Sequence, residues 1–345
     1  MILEKYSHQS TSGSDPQTDP RPSFLKRPGP VTEFSSVKDY DIVVIGAGSP
    51  GVPCALKAAE CGAKVALIQK EPEAAACGNF GAGIDLSRSD AADVESLVSL
   101  LVAASSHRPK RELIETWAKN SGEALHWLIE RSREAGAQVV DMGTAAHGGL
   151  LKKHPWNIEF LTCVFGPKPY DTGEAMKALC KMAEQKGVHI FYNTPARQLI
   201  QDSDGHVTGV AAEGKDGYIR FNARRGVVVA TGDYANDKEM MDYYLPDVTN
   251  LDLKRTGRTG DGHKMILWAG GRMENVGHTK TCSDRAAGTT SSRDAPLMRG
   301  KLTGQRFRRE PIGIEFIKRY LLSQEDRGQY CEIFDSAYQE KAAGW

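Results

Sequence analysis

The unit at residues 41–70 constrains the fold of this chain more than any other part of the sequence. Its apolar run IVVI, at residues 42–45, is rich in β-branched side chains and is typical of a buried parallel strand. The glycine-rich turn GAGSPG follows at once, and residues 52–61 have the composition of a helix. A second apolar run at residues 64–69 completes a strand–helix–strand unit. We therefore expect an α/β fold built on parallel strands.

Three glycines in this turn have different physical roles. Gly46 permits the tight turn after the strand, Gly48 lets a phosphate group approach the backbone, and Gly51 lets the helix pack closely on the strand. The first turn of the helix adds unpaired N–H groups and about half a positive charge, which attract an anion. Because a strand stands on each side of the motif, the sequence predicts a dinucleotide-binding site and not an ordinary glycine turn.

The end of the second strand departs from the usual pattern of such a site. The residue that binds the ribose hydroxyls about twenty positions further on is normally Asp or Glu. Here it is Gln69, which accepts a hydrogen bond without the charge-assisted part. Lys70 follows, and a cation at this place favours a 2′-phosphate as in NADP, so that alternative stays open.

The rest of the chain does not continue with the further strand–helix–strand units expected of a nicotinamide enzyme. A glycine- and alanine-rich loop comes next, then helices, and then a strand-rich segment with two Asp-Gly turns that predict antiparallel hairpins. This interruption suits a flavin-binding fold, in which distant segments line one long crevice. The predicted elements are a loop at 71–85, two or three helices in 91–136, a helix at 171–186, strands at 188–192, 197–201, 206–213, 218–222 and 226–230, and helices at 237–244 and 262–268.

Composition excludes several other classes of protein. Lys and Arg number 44 and so do Asp and Glu, which argues against a nucleic-acid partner bound by bulk charge. No run approaches the roughly 18 apolar residues of a membrane span. The 7 cysteines are an odd count without a Cys-x-x-Cys pair, which argues against a disulfide framework, a zinc ribbon, an iron–sulfur cluster and a c-type haem. We therefore expect a cytoplasmic protein without a bound metal.

Four glycine-bearing segments, taken in order, carry a resemblance to a known family. They resemble the FAD-binding flavoprotein family of fumarate reductase and succinate dehydrogenase, above all its fumarate- and urocanate-reductase-like branch, with 3-ketosteroid dehydrogenases as cousins. The resemblance covers roughly residues 40–338. The four segments are residues 41–70, 78–84, 227–232 and 259–262.

The resemblance implies a domain organisation as well as a fold. It implies a Rossmann-like FAD-binding domain with an inserted α+β substrate-capping domain. We expect a disordered tail at residues 1–39, because five prolines and few large apolar residues cannot offset the entropy of ordering. The FAD-binding domain is expected at 40–272 and the start of the capping domain at 273–345. The capping domain then looks incomplete, so that a second polypeptide would complete the fold or the chain is a fragment.

The resemblance also implies FAD as the cofactor and assigns residues to it. The three glycines of the turn take the diphosphate, Gln69 and Lys70 border the adenosine ribose, and Asp261 reaches the ribityl chain. From the residues alone, Asp261 could instead be a helix N-cap. The full set of expected FAD-binding residues is Gly46, Gly48, Gly51, Gln69, Lys70, Asn79, Gly81, Gly83, Ala196, Arg197, Thr231, Gly232 and Asp261.

Two residues are expected to act on the substrate. The segment VGHTK resembles the one whose histidine binds a substrate carboxylate in this family, which makes His278 the first candidate. The arginine that delivers a proton in fumarate reductases is replaced by Ile314, which cannot donate one. The neighbouring Glu315 could act as the acid if burial raised its pKa, or it could be an ordinary surface carboxylate.

These observations predict an FAD-dependent oxidoreductase that reduces an activated C=C bond of an anionic, carboxylate-type substrate by hydride transfer from flavin N5. An external electron donor is required, because the sequence carries no haem or iron–sulfur motif. Two alternatives stay open. One is a flavin dehydrogenase of a ketosteroid-like substrate, and the other is a non-catalytic flavin-binding fragment or partner subunit.

Overall fold

A computed structural model describes residues 21–78, 80–105, 107–142, 155–168, 170–246, 256–274, 278, 297–300, 304–306 and 330–333. The strands in this part of the chain are β1 (Ser36–Ile45), β2 (Val65–Ile68), β3 (Phe80–Ile84), β4 (Val139–Asp141), β5 (Phe160–Phe165), β6 (His189–Phe191), β7 (Ala196–Gln201), β8 (Val207–Gly214), β9 (Gly217–Val229), β10 (Leu297–Gly300) and β11 (Tyr330–Ile333). The helices are α1 (Gly51–Glu60), α2 (Ala91–Ala104), α3 (Arg111–Glu134), α4 (Thr172–Gln185), α5 (Lys238–Tyr244) and α6 (Asp261–Trp268).

The main sheet has the strand order β6-β2-β1-β9-β8-β7. Strand β1 is parallel to β2 on one side and to β9 on the other, and β6 is parallel to β2. Strands β9, β8 and β7 form an antiparallel meander. The α/β fold and the parallel strands that the sequence predicts are therefore confirmed.

The continuous apolar runs of β1 and β2 reflect burial on both faces of the sheet. Val44 and Leu67 point into a core that helices α1 and α4 complete. Val43 and Ile68 point to the opposite face, where Phe221 of β9 and Met265 of α6 cover them. A strand that is buried on both sides needs apolar residues at every position, which is why no alternation appears in the sequence.

Strand β9 differs from its prediction. The sequence predicts two strands at residues 218–222 and 226–230, whereas the structure has a single strand of 13 residues. The register of β1 against β9 shifts between Tyr40 and Ile42, and this irregularity lets the pairing continue past the predicted break. The predicted Asp-Gly turns are confirmed, since Gly205 and Gly217 both have positive φ, at 85° and 118°.

The predicted loop at residues 71–85 is also partly wrong, because β3 occupies its last third. Strand β3 pairs antiparallel with β5, which in turn pairs with β4 to form a second, smaller sheet. Gly81 and Gly83 are residues of β3, and a Cβ at Gly83 would lie only 2.6 Å from the carbonyl oxygen of Ser121 in α3. The missing side chains thus allow α3 to lie directly on β3.

The helices agree with the sequence analysis. The region predicted to hold two or three helices contains α2 and α3. The side chain of Asp171 caps α4 by accepting a hydrogen bond from the backbone N–H of Gly173, and Asp237 caps α5 in the same way through Met240. None of the described helices is long and apolar enough to cross a lipid bilayer.

The prediction of a disordered tail up to residue 39 is wrong for residues 21–39. Strand β1 begins at Ser36, and the side chain of Phe24 is only 3% exposed. Phe24 packs into a cluster with Met240 and Met241 of α5, and the indole N–H of Trp268 donates to its carbonyl oxygen at 2.9 Å. Further hydrogen bonds hold this segment, since the backbone N–H of Val31 donates to Oε1 of Gln198 at 3.0 Å. Residues 1–20 lie outside the described part of the chain.

Little of the expected capping domain is described. Strands β10 and β11 pair antiparallel with each other. Glu315 and Ile314 lie outside the described residues, as does Asn79. The domain boundary at residue 272 and the incomplete capping domain therefore stay predictions.

Candidate cofactor site

The candidate site lies where the parallel strands of the main sheet end. The backbone N–H of Gly46 donates to the carbonyl of Ile68 at 2.7 Å, and the N–H of Ala230 donates to the carbonyl of Ile45 at 2.8 Å. The turn after β1 is thus tied to the ends of both neighbouring strands. Ligands of α/β proteins bind at this edge, outside the carboxyl ends of the strands.

Packing within the protein itself requires two of the three motif glycines. Gly46 has φ = 104°, and a Cβ on it would lie 2.4 Å from the carbonyl oxygen of Ala230. A Cβ on Gly51 would lie 1.8 Å from the carbonyl oxygen of Gly46. Gly48 differs, because the nearest atom to a Cβ there is the carbonyl oxygen of Ala75 at 3.3 Å. Protein packing demands the absence of a side chain at Gly48 less strictly, which fits a backbone that a ligand approaches.

The N-terminus of α1 has the features of an anion site. Its N-cap is Pro50, no side chain caps the helix, and the first turn contains no acidic residue. The backbone N–H of Val52 bonds to the carbonyl of Gly48 at 3.1 Å, so the helix begins directly at the glycine turn. The first-turn N–H groups of α1 therefore face the turn without a carboxylate to neutralise them, which suits a diphosphate.

Gln69 lies beside this turn and is 7% exposed. Its side-chain amide donates from Nε2 to the carbonyl of Glu73 at 3.1 Å. Its backbone N–H donates to Phe191, at the end of β6, and its carbonyl accepts from Thr194 at 2.9 Å. Gln69 is thus positioned by both main-chain and side-chain bonds at the place where a ribose is expected.

Lys70 is paired with two residues from the other end of the domain. Its Nζ atom lies 2.8 Å from Oγ1 of Thr259 and 3.0 Å from Oδ2 of Asp261. The ammonium charge is balanced by the Asp261 carboxylate, which argues against a free cation waiting for the 2′-phosphate of NADP. The N-cap of α6 is Gly260, with φ = 68°, and Asp261 is the first residue of the helix. The interpretation of Asp261 as an N-cap is therefore wrong.

Thr231 and Gly232 lie two and three residues beyond the end of β9, and the Thr231 side chain lies against the start of α6. A Cβ on Gly262 would lie 2.1 Å from Oγ1 of Thr231 and 2.6 Å from Cγ1 of Val229. Gly262 thus allows α6 to sit on the end of β9 and brings Asp261 to the same edge as the turn. The sequence analysis assigned no role to Gly262, although its place in the Thr-Gly-Asp-Gly motif was a signal for it.

The remaining expected FAD residues have other partners in the structure. Gly81 and Gly83 face α3, and a Cβ on Gly81 would lie 2.9 Å from Cδ1 of Leu125. Ala196 is buried at the start of β7, while Arg197 donates from Nε and Nη2 to Oε2 of Glu213 at 2.9 and 2.8 Å. Contacts of these four residues with FAD stay predictions.

His278 belongs to an aromatic cluster next to the start of α6. Its Nδ1 is hydrogen-bonded to the hydroxyl of Tyr234, and its ring stacks on that of Tyr244 with centroids 4.5 Å apart. Tyr234 also contacts the ring of His263, with centroids 5.4 Å apart. The sequence analysis missed both tyrosines and His263, because neither spacing nor composition distinguishes them from core residues.

Burial sets the protonation of this cluster. Burial lowers the pKa of His278 and that of His263, and it raises the pKa of Tyr234 to about 12. Both imidazoles are therefore neutral near pH 7, and the Tyr234 hydroxyl keeps its proton. The direction of the hydrogen bond between the Tyr234 hydroxyl and Nδ1 of His278 depends on the histidine tautomer: with the hydroxyl as donor, Nδ1 accepts and the ring proton sits on Nε2.

Together, the glycine turn, the uncapped helix and the Gln69 position define a Rossmann-type dinucleotide-binding domain. The chain belongs to the FAD-binding domain family, whose family model matches residues 41–307. FAD is therefore its cofactor, and the turn has the bare backbone and the free helix N-terminus that the FAD diphosphate requires.

Two relatives and two solved structures show the extent of the similarity. A probable fumarate reductase of Shewanella frigidimarina is 28% identical over 251 residues, which is 68% of this chain and 39% of the relative. A vinyl phenol reductase of Lactiplantibacillus plantarum is 29% identical over 256 residues, or 69% of this chain and 47% of the relative. The chain thus spans less than half the length of these relatives.

The solved structures share the fold. A flavocytochrome c3 fumarate reductase in an open conformation aligns with a TM-score of 0.68 at 23% identity, covering 90% of this chain and 55% of that one. A 3-ketosteroid-Δ4-(5α)-dehydrogenase of Rhodococcus jostii aligns with a TM-score of 0.62 at 22% identity, covering 91% of this chain and 70% of that one. The expected fold family is thereby confirmed.

Proposed function

We propose that this chain is the FAD-binding part of an oxidoreductase that reduces an activated C=C bond of an anionic, carboxylate-type substrate. The main support is the uncapped N-terminus of α1, which begins at the bare backbone of Gly48. Asp261 lies at the same edge of the main sheet. Relatives named as fumarate reductase and vinyl phenol reductase support this reaction class. Both names denote reduction, in keeping with the class inferred from the sequence.

When bound, FAD supplies the hydride from its N5 atom. The chain holds the cofactor in place: the α1 N-terminus binds the diphosphate, Gln69 binds the adenosine ribose, and Asp261 accepts from the ribityl hydroxyls. Two of these groups have defined anchors in the structure, since Gln69 is bonded to Glu73 and Asp261 to Lys70. Anchored groups lose less entropy on binding, which favours a single cofactor geometry.

His278 is proposed to bind the substrate's carboxylate or carbonyl oxygen through Nε2–H. Stacking on Tyr244 fixes the plane of the imidazole, and the hydrogen bond with Tyr234 fixes the orientation of the ring. A neutral imidazole polarises the substrate by hydrogen bonding and not by full charge. Glu315 remains the proposed proton donor, and an external reductant remains the proposed electron source. The cytoplasm remains the proposed location.

A ketosteroid-like substrate is the second candidate. The 3-ketosteroid dehydrogenase shares the fold over most of this chain. A neutral hydrogen-bond donor such as His278 suits a ketone oxygen as well as a carboxylate, so the geometry of the described residues is compatible with both. A flavin-binding part that works only with a second polypeptide is the third candidate.

The test begins with the purified chain and added FAD. Bound, photoreducible FAD with a visible flavin spectrum is expected, and a protein that stays colourless overturns the proposal. The reduced protein is then mixed anaerobically with fumarate, urocanate or an α,β-unsaturated 3-ketosteroid, each of which has a C=C bond that can accept the hydride. Reoxidation by an unsaturated carboxylate supports the first candidate and reoxidation by the steroid the second, while a stable reduced flavin in every case points to the third.

Variants at two histidines test the role of His278. The His278→Ala variant is expected to slow reoxidation by substrate about a hundredfold without loss of the flavin spectrum. The His206→Ala variant is the matched control, because the His206 side chain is 77% exposed on a hairpin far along the chain from the motif. Equal rates for both variants would remove His278 from the site.

A further inference from the structure

We infer that Lys70 is a positioning residue for FAD, which acts by holding Asp261 and Thr259 across the mouth of the glycine turn. The inference rests on the proposed contact between Asp261 and FAD. The Lys70 ammonium group lies 2.8 Å from the Thr259 hydroxyl and 3.0 Å from the Asp261 carboxylate. These contacts join positions 189 and 191 residues apart in the chain.

The loop at residues 256–260, here called the bridging loop, is held at a second point on the β2 side. Gly257 has φ = 82°, and a Cβ on it would lie 2.9 Å from Oε1 of Glu71. The loop therefore lies against two consecutive residues that follow β2. Lys70 is the one of this pair that makes hydrogen bonds to the loop and to the first residue of α6.

The bridging loop is also held on the β9 side. The backbone N–H of Arg258 donates to Oδ1 of Asn236 at 2.9 Å, and the N–H of Asn236 donates to the carbonyl of Arg258 at 2.8 Å. The Arg258 guanidinium is paired with Asp233 at 3.0 Å. Both partners lie in the segment that follows β9.

The order of the strands in the main sheet shows where the bridging loop lies. Strands β2 and β9 flank β1, and the glycine turn follows β1. A loop held beyond β2 on one side and beyond β9 on the other therefore straddles the end of β1, where the diphosphate is expected. Releasing the β2 side would leave the Asp261 carboxylate held by the Thr259 hydroxyl and by the contacts of the bridging loop on the β9 side.

The charge balance favours positioning over direct attraction of the diphosphate. Lys70 and Asp261 form a pair whose side chains are 30% and 27% exposed. The pair is neutral as a unit, so its field on a nearby anion is small. Its contribution is the fixed place of the carboxylate, since the Asp261 oxygens also accept from the Thr259 hydroxyl at 2.9 and 3.0 Å.

A double-mutant cycle on FAD affinity tests the inference. The dissociation constant of FAD is measured by quenching of flavin fluorescence for Lys70→Met, Asp261→Asn and the double variant. Each single variant is expected to raise the dissociation constant of FAD about tenfold. The double variant is expected to bind FAD no more weakly than the single variant with the higher dissociation constant. If Lys70 instead acts directly on FAD, the two effects multiply to about a hundredfold, which overturns the inference.

A second measurement needs no bound FAD. Hydrogen exchange of the apoprotein is expected to be about tenfold faster at the amides of residues 257–262 in Lys70→Met than in the wild type, and Lys70→Arg is expected to restore protection. Unchanged exchange in this segment overturns the inference. The control is Lys177→Met, because Lys177 is instead paired with Glu73 at 2.8 Å and with Glu174 at 3.0 Å. Failure of the wild type to bind FAD would contradict the proposed function, while the exchange result would still decide the role of Lys70.

Discussion

The ring of Tyr244 lies parallel to the imidazole of His278, with centroids 4.5 Å apart and an interplanar angle of 8°. The same tyrosine contacts Phe24, whose ring centroid is 5.7 Å away. Ser23 anchors this part of the N-terminal segment, because its backbone N–H donates to Oε1 of Glu239 in α5 at 2.6 Å. The segment that precedes β1 is thus connected to the candidate substrate residue through one aromatic ring.

Truncation of Phe24 is the first prediction. The Phe24→Ala variant should lower the free energy of unfolding by about 3–4 kcal/mol, because a buried aromatic ring leaves a cavity beside Tyr244. Urea unfolding followed by tryptophan fluorescence measures this, with Leu113→Ala as the control. Leu113 is 60% exposed, so its truncation should change the stability by less than about 0.5 kcal/mol. Equal effects of the two truncations would mean that the segment does not pack as described.

Alanine at two motif glycines should have separable effects. Gly51→Ala should reduce stability by about 3 kcal/mol or more, since its Cβ would overlap the Gly46 carbonyl. Gly48→Ala should cost less stability than Gly51→Ala, since its Cβ would lie 3.3 Å from the Ala75 carbonyl oxygen, and should weaken FAD binding by about ten- to a hundredfold, because a methyl group would crowd the proposed place of the diphosphate. Thermal unfolding of the apoprotein and FAD titration measure the two quantities. A Gly48→Ala variant with wild-type FAD affinity would show that the ligand does not approach this backbone.

Removal of the Tyr234 hydroxyl should raise the pKa of His278. With the phenol as donor to Nδ1, this hydrogen bond stabilises the neutral imidazole, in the same direction as burial, which lowers the pKa of His278. In Tyr234→Phe that donor is lost, and protonation of Nδ1 becomes easier. ¹⁵N chemical shifts of the labelled histidine ring, followed through a pH titration, measure the pKa and the tautomer. A pKa that falls or stays constant would contradict this assignment of donor and acceptor.

Stability should decline when the pH falls below about 6.5, the pKa of an unfolded histidine. Burial lowers the pKa of both His263 and His278 in the folded protein, so the unfolded chain binds protons first as the pH falls. The loss begins near the unfolded pKa and is complete below the folded one. Urea unfolding at about pH 7.5 and about pH 5.5 measures the difference in the free energy of unfolding. Both pH values lie above the range where carboxylates titrate.

The His263→Gln variant serves as the comparison for this pH effect. In the wild type, Nδ1 of His263 is buried and has no hydrogen-bond partner among the described residues, so protonation of this imidazole is costly. The variant should show a smaller loss of stability between the two pH values. An unchanged loss would assign the effect to groups other than His263.

Sequence reasoning was most successful where local pattern and tertiary environment agree. The run IVVI is apolar throughout because β1 is buried on both faces, and Asp171 and Asp237 precede helices that they cap. The three motif glycines could be predicted as a group from their spacing. Which of them serves packing and which serves the ligand became visible only from the atoms around each Cβ.

Reasoning from sequence failed where distant residues decide the outcome. Strand β3 was missed because Gly81 and Gly83 provide no side chains from which to read alternation. The N-terminal segment was predicted to be disordered because composition cannot show that Phe24 has partners in α5 and α6. Lys70 was assigned to a phosphate or a ribose, since nothing in its local sequence points to Thr259 or Asp261.

The length of β9 has a consequence for engineering. Its residues 217–222 pair with β8 along one edge, and residues between 219 and 229 pair with β1 along the other, so the hairpin and the nucleotide-binding half share one backbone ladder. A split-protein reporter cut between Ala223 and Gly226 would divide this ladder. The two pieces would each expose unpaired amide groups and tend to aggregate before they could reassociate. A cut in the exposed turn around Asp204 avoids this, which makes that turn the better place to divide the chain.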